Sequence, residues 1–252
     1  MLTVIKAGGA WLDGSPVQDE LDALAELPGE VVVVHGGGKE ISRWQERCGI
    51  ETEWSEGLRV TRGDSLALSS MVLSGWLNKK LATAVSEAGR PSVGLSGEDG
   101  GIIHARPIDP ARLGSVGSVD RIDPAPLEAL LAGGFTPVLS PISKGAAGPL
   151  NVNADEAAAQ VAIAMGADRL LLVSDVAGVK DGSEVLDRVT RDDAGTLSAS
   201  GVLEGGMAVK VDQGLAASDR EIEVRIGGGE LLADPAAGTA IGTAPTLAAV
   251  AS

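Results

Sequence analysis

Short apolar runs recur along the chain, at Leu2 to Ile5, Val31 to Val34, Pro137 to Leu139, Leu170 to Val173 and Ile222 to Ile226. The first four are continuously apolar or nearly so, the pattern of strands covered on both faces in a parallel sheet. The fifth alternates apolar with charged residues, which predicts a place near a sheet edge. Helical periodicity fills the intervals. Val17, Leu21, Leu24 and Leu27 form one stripe over Val17 to Leu27. Asp64 to Glu87 reads as a long amphipathic helix, Asp155 to Met165 as an alanine-rich one, and Pro126 to Leu131 and Met207 to Ala217 as two more. Strands alternating with helices predict an α/β fold with a mostly parallel sheet. A glycine-proline turn at Gly145 to Pro149 predicts a soft boundary between two lobes that share the sheet. The tail after Pro245 is expected to fray.

Composition narrows the function classes. The 252 residues carry a net charge of −15, which disfavours general nucleic-acid binding and anionic membrane surfaces. No apolar run approaches the roughly 18 residues of a membrane span. Cys48 is the sole cysteine, so no internal disulfide forms, and a reducing, cytoplasmic location is expected. Two histidines and one cysteine make no zinc site.

The candidate chemistry lies in glycine turns at strand ends. Lys6-Ala7-Gly8-Gly9 follows the first strand and His35-Gly36-Gly37-Gly38 the second. In a parallel sheet both lie at carboxyl ends, where open α/β sheets bind ligands. Close-approaching backbone and successive N–H groups there suit a phosphoryl group, and a following helix adds its positive end. Either turn alone could equally be a tight connection. There is no P-loop, since Glu40 stands where Ser or Thr is needed after Gly38-Lys39, and no GxGxxG fingerprint. His35 and His104 read as structural histidines, and Ser96 as a turn residue rather than a nucleophile.

With only seven lysines, each placement is informative. Lys6 ends the first strand inside a glycine turn, and Lys210 lies in the first turns of the helix opened by Gly205-Gly206. Asn151, Asn153 and Asp155 alternate ahead of the alanine-rich helix, more than an N-cap requires. An aspartate between two lysines would hold both and keep them charged. Arg59 is a candidate carboxylate clamp, Asn151 a candidate donor, and Ser174-Asp175-Val176-Ala177-Gly178-Val179 a strand-end turn suited to a flat ring.

Six strings in order carry a family resemblance: Ile5 to Gly9, Val34 to Gly38, Glu56 to Thr61, Leu150 to Asp155, Ser174 to Val179 and Gly205 to Val211. Together they resemble the amino-acid kinase family, and within it the acetylglutamate kinases, over about residues 2 to 243. The resemblance implies a three-layer α/β/α sandwich around a mainly parallel sheet of about eight strands. It implies an N-lobe, about 1–149, that binds an acylamino acid and dimerises, and a C-lobe, about 150–252, that binds MgATP. The implied reaction moves the γ-phosphoryl of ATP to the γ-carboxylate of N-acetyl-L-glutamate. Lys6, Asp155 and Lys210 would be catalytic. Gly8, Gly9, Gly36 and Gly37 would donate N–H groups to the phosphoryl oxygens. Arg59 and Asn151, with Gly37 and Gly38, would hold the acceptor. Ser174, Asp175, Val176, Gly178 and Val179, with Val202, Leu203, Glu204 and Met207, would cradle the nucleotide. Mg²⁺ would arrive with ATP, no protein-only metal site being apparent.

Two departures stand out: Glu98, where many relatives carry lysine, and a short segment at Asp181 to Glu184. The chain starts almost at its first strand, so an arginine-insensitive homodimer is expected. Two alternatives remain open on the sequence: a kinase of aminoadipate or glutamate linked to an acidic carrier protein, and a non-catalytic amino-acid sensor.

Overall fold

The computed structural model describes residues 1–8, 18–55 and 58–243. In chain order the elements begin with β1 (Leu2–Ala7), α1 (Gln18–Glu26), β2 (Glu30–His35), α2 (Gly38–Arg47), β3 (Trp54–Ser55) and β4 (Leu58–Arg59). A continuous helical stretch follows: α3 (Gly63–Ser70), a π-helical segment (Met71–Leu77) and α4 (Asn78–Glu87). Next come β5 (Ser92–Ser96), β6 (Ile103–Pro107), α5 (Pro110–Leu113), β7 (Val116–Ile122), α6 (Ala125–Ala132), β8 (Thr136–Ser140), β9 (Ile142–Gly145) and β10 (Gly148–Val152). The remainder is α7 (Ala154–Ala164), β11 (Arg169–Val173), β12 (Lys180–Asp181), β13 (Glu184–Val185), β14 (Arg188–Val189), α8 (Arg191–Ala199), α9 (Gly205–Ser218), β15 (Glu223–Gly227), α10 (Glu230–Ala233) and β16 (Thr239–Ile241).

Eight strands form one sheet in the order β14-β16-β15-β11-β1-β2-β8-β5. Every pairing is parallel except β15 with β16. The period of two sends neighbouring side chains to opposite layers. Val4, Val32, Val34, Leu170 and Leu172 join one core with Ala158 of α7 and Leu215 of α9. Ile5, Val31, Val33, Leu171 and Val173 join the other with Leu24 of α1, Val85 of α4 and Leu231 of α10. This two-sided burial explains the continuous apolar runs and yields the expected three layers.

The fifth run lies two strands in from the β14 edge. β15 is not an edge strand: it lies between β11 and β16, and its alternation reflects Glu223, exposed, and Arg225, half-buried. The edges are β14 and β5, and β5 carries Gly94 and no strong apolar run. A small closed barrel of β10, β7, β6 and β9 stands beside the sheet. The Gly145 to Pro149 boundary is the turn of its β9–β10 hairpin. The tail after Pro245 lies outside the described residues.

Candidate active site

The site grows from the parity of β1. Lys6 falls on the same face as Val4, toward α7 and α9, and is flanked in register by Val34 of β2 and Leu172 of β11. Its stem is therefore buried at the centre of the sheet and its ammonium emerges at the strand end. Asn153 caps α7, its side-chain oxygen accepting from the N–H groups of Asp155 (2.8 Å) and Glu156 (3.2 Å). That cap fixes Asp155 in the first helical turn, pointing at the sheet.

Asp155 lies between two cations. Its Oδ1 is 3.2 Å from Lys6 Nζ and its Oδ2 is 3.2 Å from Lys210 Nζ. All three side chains are nearly buried, at 8, 9 and 13% exposure for Asp155, Lys6 and Lys210. Burial lowers the Lys6 pKa, Asp155 opposes that shift, and Lys210 adds to it. A carboxylate between two ammonium groups leaves one net positive charge at the end of the central strand.

The two glycine turns close over this charge. A Cβ on Gly8 would collide with Lys6 Nζ and lie 3.1 Å from the Val173 carbonyl. Gly37 has φ +151°, and a Cβ there would strike Leu77 and approach Leu73 to 2.8 Å. Both leucines belong to the π-helical segment, whose wider turn packs them under the β2–α2 turn. One expectation changes: the Gly36 N–H already donates to the Ala7 carbonyl (3.1 Å), tying the two turns together, so it is not a spare phosphoryl donor. Gly9 lies outside the described residues, as do Glu56 and Gly57.

His35 is fully buried beneath the turn. Its Nδ1–H donates to the Gly36 carbonyl (2.8 Å), and Asn78 Nδ2 lies 3.1 Å from its Nε2. Burial first, and Lys79 after it, lower its pKa to about 4, against a rise from the Gly36 bond. It is structural, as read from the sequence. So is Ser96, whose N–H and hydroxyl both donate to Asp99 (2.7 and 3.0 Å) in a turn. The half-buried His104 accepts from Arg121 Nη2 (2.8 Å) on the barrel.

A cleft of about 320 Å³ runs from Lys6, Gly8 and Asp155 past Gly36, Gly37 and Gly38 to Arg59 and Asn151. Trp54 and Leu58 of the β3–β4 hairpin and Val116 of the barrel add apolar wall. Arg59 is buried, its guanidinium 4.5 Å from the Trp54 ring. It donates to Gln45 Oε1 (2.6 Å), the Gly38 carbonyl (2.8 Å) and Ser42 Oγ (2.8 Å). Asn151 Nδ2 reaches Thr61 Oγ1 at 3.5 Å. One end of the cleft is thus cationic and glycine-rich, and the other holds a second, separate cation beside an apolar wall.

The segments expected to cradle a nucleotide lie on the C-terminal half and split by burial. Ser174, Asp175, Val176, Glu204 and Met207 are exposed or half-buried. Gly178, Val179 and Leu203 are buried, and Val202 packs against the core. The Val179 N–H is already donated to Thr239 Oγ1 (2.9 Å), and a Cβ on Gly178 would lie 2.6 Å from that hydroxyl. Gly178 and Val179 thus fix the shape of the turn. Asp175 lies 3.4 Å from Lys39 of α2, an exposed ion pair across the cleft mouth. Burial favours its neutral form, but hydrogen bonds from its own backbone and from Lys39 outweigh that and lower its pKa.

Sequence reading missed Gln45, Ser42 and Trp54 around Arg59. The signal was present for Gln45: it follows Ile41 by four residues and so shares the buried stripe of α2.

A strand-end lysine paired through one aspartate to a helix lysine, beside two glycine turns on a doubly covered, mostly parallel sheet, is the arrangement of charge and backbone that suits a phosphoryl group. The chain belongs to the amino acid kinase family, whose model matches residues 1–228. The curated relatives include the acetylglutamate kinase of Rubrobacter xylanophilus, 39% identical over 243 residues and covering 95% of each chain. That of Geobacillus stearothermophilus is 42% identical over 231 residues, 90% of each. A crystal structure from Streptococcus mutans superposes with a TM-score of 0.83 at 27% identity, covering 96% of this chain and 98% of that one.

Proposed function

We propose that this chain transfers the γ-phosphoryl group of ATP to the γ-carboxylate of N-acetyl-L-glutamate, a step of arginine biosynthesis. The observation that carries the reading is the Lys6–Asp155–Lys210 triad at one end of a cleft whose other end is Arg59. It is supported by two acetylglutamate kinases that match nearly the whole chain at about 40% identity.

The chemistry suits these residues. A carboxylate oxygen of the acceptor forms the new O–P bond as the bond to the β-phosphate oxygen of ADP breaks. The acceptor is already ionised, so no general base is required and no covalent enzyme intermediate arises. Catalysis is alignment and charge neutralisation. Lys6 and Lys210 face the charge that develops on the transferring and leaving groups. Asp155 keeps both in place and supports the charge on Lys6 against burial. Gly8 and Gly37 let the backbone approach the phosphoryl group. Arg59 and Asn151, with Gly37 and Gly38, hold the α-carboxylate and acetamido group. The turn at Ser174 to Val179 and the segment Val202 to Met207 receive the nucleotide.

Among the described residues no group of three or more His, Cys, Asp or Glu side chains gathers to hold a metal, and both Asp155 oxygens face lysines. Mg²⁺ is assigned to the phosphates of ATP, where it would neutralise charge. The acceptor lobe is assigned to about residues 1–149 and the nucleotide lobe to about 150–252, acting in the cytoplasm. A homodimer is supported by the exposed Met71 and Trp76 of the π-helical segment.

Acyl phosphate trapped as hydroxamate tests the reading, with ATP, Mg²⁺ and N-acetylglutamate, N-succinylglutamate, glutamate, aspartate and N-acetylaminoadipate as acceptors. Turnover with N-acetylglutamate alone, lost in Lys6→Ala and Lys210→Ala, is expected. Silence on every free acceptor would sink the reading in favour of a carrier-linked substrate or a sensor.

A further inference from the structure

The protein itself holds Arg59 in place, and every partner it has among the described residues is neutral. Gln45 Oε1, the Gly38 carbonyl and Ser42 Oγ take three of its five N–H groups, and Trp54 covers its face. Among the described residues, its Nε–H and one Nη1–H are left without a partner. Gln45 is the hub of this arrangement. It is fully buried, its oxygen accepts from both Arg59 and Thr52 Oγ1 (2.9 Å), and its nitrogen donates to Ser65 Oγ (2.7 Å). These contacts gather the loop before β3, the helix α3 and the hairpin strand β4 onto α2.

Fully burying an amide, as α2 does at Gln45, costs free energy unless its bonds are made, and an aliphatic side chain would fill that space at less risk. A glutamate there would also bind the guanidinium, but would cancel its charge. The amide fixes the group and leaves the charge available.

We propose that Gln45 is a positioning residue for the acceptor substrate: it orients the Arg59 guanidinium, still fully charged, toward the acceptor's α-carboxylate. This inference rests on the substrate reading above and extends it to a residue that does not touch the substrate.

Steady-state kinetics of the full chain, Gln45→Met and Gln45→Glu, with melting temperatures alongside, tests it. Gln45→Met preserves volume and removes the hydrogen bonds. The KM for N-acetylglutamate should rise about tenfold or more, while the KM for ATP and kcat stay within about twofold. Gln45→Glu keeps the guanidinium anchored but neutralised, so the same KM should rise although the fold is as stable as the parent. A merely structural glutamine would give a Glu variant with normal stability and a normal KM. If Gln45→Met fails to fold, Ser42→Ala removes one acceptor of Arg59 from a half-buried position and should raise the same KM alone. An unchanged N-acetylglutamate KM in these folded variants, or parallel losses in kcat and ATP KM, overturns the inference while leaving the substrate reading intact. An unsubstituted chain inactive on N-acetylglutamate overturns the reading and this inference with it.

Discussion

Asp155 has two lysines on its two oxygens, so its charge is worth more than either hydrogen bond. In Asp155→Asn the shape persists, but Lys6 loses the interaction that opposes its burial, while Lys210 continues to repel it. Its pKa then falls further. The expected result is a loss in kcat of about a hundredfold or more, the scale for removing one electrostatic stabiliser. The alkaline limb of the kcat profile should also move to lower pH, because Lys6 now loses its proton sooner. A pH–rate profile for parent and variant checks both, and an unmoved alkaline limb would separate Asp155 from the charge state of Lys6. His35 makes a different prediction, about stability. Its folded pKa is about 4 and its unfolded value 6.5. Between those values the unfolded chain takes up a proton that the folded chain refuses, so acid favours unfolding. Stability should fall by roughly 3 kcal/mol as pH drops from 6.5 to 4 and lose nothing further from this group below that. Denaturant titrations at several pH values check it, with His35→Gln expected to flatten the slope.

At the scale of elements, the helix α7 does two jobs through one turn. Asn153 satisfies the N–H groups of Asp155 and Glu156 and so sets the direction of the Asp155 carboxylate. Glu156 accepts from the Val119 N–H (2.7 Å) and ties the barrel to the same turn. Replacing Asn153 with Ala should cost about 1 kcal/mol, the usual worth of a cap, and lower the melting temperature by about 2–4 °C for a chain of this size. It should also lower kcat without shifting the KM of N-acetylglutamate, since Arg59 is held by other elements. Equal losses in both parameters would argue against that division. Elements differed in how far the sequence disclosed them. The strands β1, β2, β8 and β11 were legible because burial on both faces leaves an uninterrupted apolar run. The barrel strands were not, because β6 and β7 mix His104, Arg106, Asp120 and Arg121 with apolar residues. The edge strand β5 was lost for lack of any need for a continuous apolar run. Lys6, Asp155 and Lys210 were legible because lysine is scarce and strand-end turns are distinctive. The roles of Gln45 and Trp54 were not, although the burial of Gln45 is readable from its spacing to Ile41, because those roles exist only once α2 and the β3–β4 hairpin fold against each other around Arg59.

For the whole molecule, the net charge of −15 acts against the substrates the site is built for, since ATP and an acylamino acid are both anions. The site answers locally, with Lys6, Lys39 and Arg59 lining one cleft and Lys210 behind Asp155. Which influence dominates depends on range. At about 0.01 M ionic strength the screening length is roughly 30 Å, comparable with the molecule, so an approaching anion meets the full acidic surface. At about 0.1 M it shrinks to roughly 10 Å, and only charges near the cleft mouth are felt. Association should therefore improve as salt first rises, the reverse of an enzyme steered by a basic surface. Beyond about 0.5 M the local cations are screened as well, and the gain should reverse. The expected outcome is a maximum in kcat/KM for both substrates at intermediate ionic strength, with kcat itself nearly constant because the triad is buried. Kinetics in a salt series with a weakly binding anion would decide it. A steady fall in kcat/KM from the lowest salt upward would mean that the cleft cations dominate at every range and that the acidic surface has no kinetic consequence.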